Sequence, residues 1–435
     1  MTRLRNSLIL LWSGLMISLS ADVLGQLSSE QMKRDIVELR KGLEKNHPGL
    51  YWYTSKEQFN SIWDQLNAQI DSSMTKDEFF RLLLPVVANV KCSHTFFYPS
   101  KEIMSRGRRF PLGINFIQEK GYILTDSGRN SIPNGSELVT INGKSLDEIV
   151  DMILPSLQAQ GGNLGWKYVI LENDFQNYYY YIVEQSETFI IEYIDPNTKE
   201  KVKKEIQGIS DQNLKTHWSK WYSNEVGTPM NITFPTNNEV AIITIKSLYK
   251  GRYKMYQQDF EGTLAKYFKE IRDKGIKKLI IDLRGNEGGN NPELIYSYIA
   301  RVEDRNVNGT SDYIKPARDV FQGHTIVLTN ERSISSQETF VSIFKNNNRG
   351  LTIGRSTSGS YNGLCGGNKR KIMLPNSDFE INVPLHAMNW TYSKVMNYQQ
   401  GEGFPPDVQV DESVDDILAG RDAAMQVALD KLQGL

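Results

Sequence analysis

The chain has 435 residues, 39% of them hydrophobic. That predicts more than one domain with real cores and excludes a disordered chain. Lysine and arginine number 50 against 51 aspartates and glutamates, and this balance gives no support for binding nucleic acid or an acidic polymer.

The first segment runs from basic "MTRLR" through apolar "SLILLWSGLMISLS" to small and polar "ADVLGQ". This is the layout of a secretory signal peptide, expected over residues 1–25 with a cut before Gln26. The apolar run is shorter than the roughly 20 residues of a membrane span. No cysteine follows it to carry a lipid, and no later stretch is apolar enough to cross a bilayer. The expectation is an exported chain without a membrane span after cleavage, periplasmic if the source is Gram-negative. Export permits a disulfide between Cys92 and Cys365, although one pair is no disulfide framework.

Residues 26–104 read as a helical subdomain. Ser29 is a plausible cap, and Met32, Ile36, Leu39 and Leu43 fall at helical spacing before "HPG" stops the helix. Two further cap-and-period segments follow, and the region ends in "KCSHTFFYPS". Residues 105–210 read as β-rich. "GYILTD" and "TFIIEYI" have strand composition, "NTKE" suggests a hairpin turn, and "NYYYYIVE" an aromatic strand. "NGSELVTINGKSLDEIVDMIL" reads as turn, strand, Asn-Gly turn and helix. In residues 211–435, buried strands "EVAIITI", "KKLIIDLRG", "HTIVLTN" and "LTIGRS" alternate with amphipathic helices, predicting a mixed α/β fold with a mostly parallel sheet. The tail "DESVDDILAGRDAAMQVALDKL" reads as one closing helix.

Three places carry chemistry. "ERSISSQETF" sets serines where strand "HTIVLTN" gives way to a helix, a junction that exposes a side chain beside free backbone N–H groups. Ser333 or Ser335 serves there as a nucleophile or as a helix cap. "DLRGNEGGNN" ends a buried strand in glycines whose bare N–H groups could hold an oxyanion. It lacks the ending of a phosphate loop. A serine needs a base. Of the five histidines, His94 sits beside Ser93 among small polar residues and is the first choice. His386 is the second; His47 reads as a surface residue at a helix end and His324 as structural. No metal-ligand spacing or nucleotide motif stands out, and no cofactor is expected.

"LIIDLRGNEGG", the strand leading to "SISSQE", and "GEGFPPDVQV" resemble the S41 serine peptidases, the C-terminal processing and tricorn-core group, over most of the mature chain. The resemblance implies a crotonase-like catalytic domain over 211–435 and, through "NGSELVTINGKS", a PDZ-like module over 105–210. It implies hydrolysis of a polypeptide substrate. Residue by residue it makes Ser335 the nucleophile, with Glu338 three residues on, and builds the oxyanion hole from the N–H groups of Ser336 and of Gly288 or Gly289. One branch of the family takes a lysine base from a "GxxTxGxG" segment. Here that segment is "GRSTSGSYNG" and Ser360 holds the lysine's place. The tricorn-like branch uses a histidine preceded by serine, which matches Ser93–His94. Its distant glutamate falls on Gln400, with Glu402 close by. Two alternatives stay open: a non-catalytic protein binding peptides or apolar ligands on this fold, and an esterase-type acyl hydrolase using the same groups.

Overall fold

The computed structural model describes residues 26–125, 131–214, 228–235, 239–286, 288–307, 312–392 and 398–434. The expected signal peptide and His217 lie outside them. Among the described residues no helix is long and apolar enough to cross a membrane.

Three helices open the chain: α1 (Ser29–Asn46), α2 (Lys56–Ala68) and α3 (Lys76–Ala88). Each starts with a reciprocal capping box, Ser28 with Gln31, Ser55 with Gln58 and Thr75 with Glu78. The cap of α1 is therefore Ser28 rather than Ser29, because only from that position does the partner three residues on fall on Gln31. Met32, Ile36, Leu39 and Leu43 form the buried stripe. Asp35 on the same helix is fully buried, and its carboxylate accepts from Asn376 and Ser377 backbone N–H groups at 3.0 and 2.7 Å. That bond pair ties the start of the chain to a late hairpin.

The hairpin is β15 (Gly363–Met373) with β16 (Glu380–Asn389), and β1 (Phe96–Tyr98) adds to it antiparallel, Phe96 opposite Asn382. The end of the helical region is thereby hydrogen-bonded to the last quarter of the sequence. The short α4 (Lys101–Ser105) and the two-residue pair of β2 (Arg108–Arg109) with β9 (Ile209–Ser210) bracket the next unit.

Within it, β3 (Gly113–Ile117), β4 (Lys120–Thr125), β5 (Ser136–Ile141), β7 (Thr188–Ile194) and β8 (Lys201–Gln207) form an antiparallel sheet, and β6 (Lys144–Ser145) pairs with β5. Asn142 and Gly143 turn the chain at φ 48° and 81°, as the Asn-Gly pair predicts. Helix α5 (Leu146–Ile153) follows. The "NYYYYIVE" run is not a strand: it ends α6 (Leu164–Tyr178) and continues in a π-helical turn, Tyr179–Val183. Tyr179 packs between Phe110, Phe175 and Phe189 at ring distances of 5.7–6.2 Å, and this packing overrides the strand propensity of tyrosine.

The last unit has the sheet order β10–β11–β12–β13–β14–β17: β10 (Met230–Thr233), β11 (Val240–Ile245), β12 (Lys278–Asp282), β13 (His324–Thr329), β14 (Leu351–Gly354) and β17 (Val408–Gln409). All neighbours are parallel except the edge strand β10. Helices α7 (Lys250–Met255), α8 (Phe260–Asp273), α9 (Pro292–Ser297) and α10 (Ser336–Asn346) connect the strands. Side-chain alternation sends Leu279 and Ile281 to one face, against Leu264, Phe268 and Phe340, and Ile280 to the other. Ala428 and Leu432 of α12 (Ala423–Gln433) cover that second face. The tail is two helices rather than one, because Gly420 takes φ 64° between α11 (Val414–Leu418) and α12.

Candidate active site

Strand β13 delivers the chain to the serine loop. Ser333 is fully buried and closes a tight turn, its Oγ accepting from Asn330 N–H at 3.1 Å. Ser335 then occupies the N-cap position of α10 without acting as a cap: φ is 64°, ψ is −124°, and the side chain makes no capping hydrogen bond. A non-glycine residue held there stores roughly 1–3 kcal/mol of backbone strain, and such outliers cluster at functional sites. The next residue, Ser336, begins the helix, so its N–H has no partner inside it.

The glycine loop lies directly against this serine. A Cβ on Gly288 would come 2.8 Å from Ser335 Cβ and 3.1 Å from its Oγ, so only glycine fits. Asn286, fully buried, donates to Ile245 C=O at 2.9 Å and accepts from Gly288 N–H at 3.0 Å. Gly288 N–H is thereby committed, whereas Gly289 N–H has no partner among the described residues. The carbonyl of Gly289 accepts from Ser336 Oγ at 2.6 Å. Leu248 fixes the loop from the other side, donating to Gly288 C=O at 2.9 Å and accepting from Asn290 N–H at 2.8 Å.

His94 arrives from the opposite end of the sequence. Its ring rests on β15, where a Cβ added to Gly366 would lie 3.7 Å from its Cδ2. Ser93 Oγ is 3.2 Å from Nδ1. Burial, and secondarily the charge of Lys369, push the imidazole down to about 4. Lys369 Nζ itself sits 4.1 Å over the ring of Phe96. At neutral pH His94 is thus uncharged, with a lone pair on one ring nitrogen.

Glu338, one turn into α10, is fully buried. It accepts from Thr357 Oγ1 at 2.6 Å, Gly359 N–H at 3.0 Å and Ser360 N–H at 3.1 Å. Burial outweighs these donors and pushes its carboxyl up to about 8. Ser358 N–H also donates to Ser333 C=O at 3.3 Å. The serine loop is therefore held against residues 357–360, which lead into β15, the strand on which Gly366 lies beside the His94 ring.

The remaining candidates have different surroundings. Glu402 has an exposed side chain on a cavity of about 700 Å³ that Glu331, Arg355 and Asp411 also line, and it makes no hydrogen bond to His94. Gln400 donates to Trp52 C=O at 3.4 Å. His47 is buried rather than surface-exposed, with Nδ1 accepting from Gly49 N–H, and burial pushes it down to about 4. His324 is exposed at the far end of β13 from Ser335. His386 is exposed on β16 beside Gly367. Cys92 and Cys365 are neighbours, Cys92 Sγ lying 3.9 Å from Cys365 C=O, yet both are free buried thiols. Asn286 and Lys369 were not singled out by the sequence. Asn286 stood in the quoted glycine segment, and its buried amide is the part a motif does not display.

Residues 239–410 match the model of peptidase family S41. Over that stretch, less than half of its length, the chain is similar to that family. A "Probable CtpA-like serine protease" of Staphylococcus aureus is 24% identical over 196 residues, 42% of this chain. A protein of the same description from Staphylococcus saprophyticus is 22% identical over 197 residues. The chain spans only about a third (35%) of the length of the Staphylococcus aureus relative. Among solved structures, mature CPAF complexed with lactacystin superposes with a TM-score of 0.66 at 12% identity, covering 93% of this chain and 97% of that one. The mixed α/β fold of this chain is therefore similar to that of CPAF along nearly its whole length, and the S41 match itself spans β11 to β17 with Ser335, Asn286 and both loop glycines inside it.

Proposed function

We propose that this chain is an exported serine peptidase that cleaves polypeptides through an acyl-enzyme. The observation that carries the reading is Ser335: a strained, uncapped serine at a strand-to-helix junction, with its hydroxyl against a glycine loop. A groove that only binds has no use for that strain. The reading gives 211–435 the role of a crotonase-like catalytic domain and 105–210 that of a PDZ-like module, whose sheet would take a peptide end by strand addition.

In this mechanism Ser93 Oγ accepts the Nδ1 proton of His94, leaving the Nε2 lone pair to remove the proton of Ser335 Oγ. The oxygen attacks the peptide carbonyl, and the N–H groups of Gly289 and Ser336 hold the resulting oxyanion. His94 returns its proton to the leaving amine. Water then repeats the cycle and releases the acid. Glu338 acts on the loop that it grips and not on the proton. Neither Gln400 nor Glu402 completes a carboxylate relay, and a base held down near 4 is a weak one, so turnover is modest. The test is hydrolysis of a denatured protein substrate: Ser335→Ala abolishes cleavage with the fold intact, and retained cleavage would remove Ser335 from the role. Equal rates on ester substrates with none on peptides would turn the assignment to an esterase.

A further inference from the structure

The segment that braces the glycine loop exposes two large apolar side chains. Tyr249 is 64% exposed and Met255 is 81% exposed, at the start and end of α7. Most exposed apolar residues stand alone and mean little. Tyr249 differs in where it is anchored. Leu248, the residue before Tyr249, is bridged to Gly289, whose carbonyl is in turn bonded to Ser336 beside the nucleophile. The backbone of Tyr249 is also fixed, its N–H donating to Ser247 Oγ at 3.1 Å. Its ring lies beside Gly251, where a Cβ would come 2.5 Å from a ring carbon, while most of the side chain stays exposed.

We propose that Tyr249 forms a substrate subsite for an apolar side chain close to the scissile bond. This rests on the peptidase reading above. Bridged strands lie about 4.8 Å apart, and an extended peptide advances about 3.4 Å per residue. A tyrosine one residue beyond the bridge therefore reaches side chains within one or two positions of a carbonyl held at Gly289. An exposed ring on a backbone held by hydrogen bonds binds an apolar group with little ordering cost. The occupant is a leucine-, methionine- or phenylalanine-like residue of the polypeptide substrate.

The experiment uses the mature chain carrying Ser335→Ala, so that binding is read without turnover. Fluorescein-labelled octapeptides, identical except for leucine or serine at one central position, are titrated by anisotropy against this protein and against the same protein with Tyr249→Ser. The leucine peptide binds roughly tenfold more tightly, and Tyr249→Ser erases the preference while circular dichroism stays unchanged. Equal binding of the two peptides, or a preference that survives Tyr249→Ser, overturns the subsite. Failure of the catalytic reading shows separately, as absent cleavage by the unsubstituted chain, and leaves this binding comparison intact.

Discussion

Replacing Glu338 by glutamine tests how the nucleophile loop is held. The carboxyl is fully buried and pushed up to about 8, far above the ordinary carboxylate value near 4.5. Between those values the folded chain keeps a proton that the unfolded chain has lost. Its contribution therefore falls as pH rises, by about 1.4 kcal/mol per pH unit and up to about 5 kcal/mol over the window. Glu338→Gln removes this titration. The amide oxygen still accepts from Thr357 and Gly359, but the NH₂ group faces the N–H of Ser360, at a cost of about 1–3 kcal/mol. Urea unfolding at intervals from pH 5 to pH 8 measures the difference between the two proteins, in which contributions common to both cancel. The variant is the less stable at pH 5, and the difference moves in its favour with each pH unit. A difference that stays flat from pH 5 to pH 8 would refute the reasoning, since it would mean that Glu338 ionises like a surface carboxylate.

Further outcomes concern the base, the oxyanion loop and the thiols. With His94 held down to about 4, the acid limb of kcat/KM lies near that value instead of near 6.5, and Lys369→Met moves it upward; a limb at 6.5 in both proteins would contradict the role of His94. Asn286→Ala lets Gly288 N–H compete and the loop shift, lowering kcat roughly 10- to 100-fold with KM little changed, whereas a loss confined to KM would mean that the amide only shapes binding. Cys92 and Cys365 titrate as two thiols in urea and stay unreactive in the folded chain, and an intact mass two hydrogens short would show a disulfide instead.

Much of the parallel sheet was legible because its strands are buried on both faces and read as unbroken apolar runs such as "KLIID". Ser335 was legible as a junction residue, but whether it capped the helix was not, since only φ and ψ decide that. The β15–β16 hairpin escaped notice because "GGNKRKIM" turns mostly exposed polar residues outward and shows no clean alternation. The tyrosine run misled for the opposite reason: its composition favours strand, while Tyr179 packs on Phe175 one helical turn earlier and on Phe110 and Phe189, both distant in sequence. The surroundings of His94 and of the serine loop were not legible, because Gly366 beside the His94 ring and Glu338 beneath residues 359 and 360 are reached only through contacts distant in sequence, which no local pattern encodes.

The account depends most on Ser335 being an activated nucleophile. The direct measurement is mass spectrometry of the chain after exposure to a fluorophosphonate, with peptide mapping of the adduct. The account predicts one phosphonyl group on Ser335, formed at least a hundredfold more slowly with His94→Ala, and none with Ser335→Ala. An unmodified Ser335, or labelling that ignores the loss of His94, would contradict it.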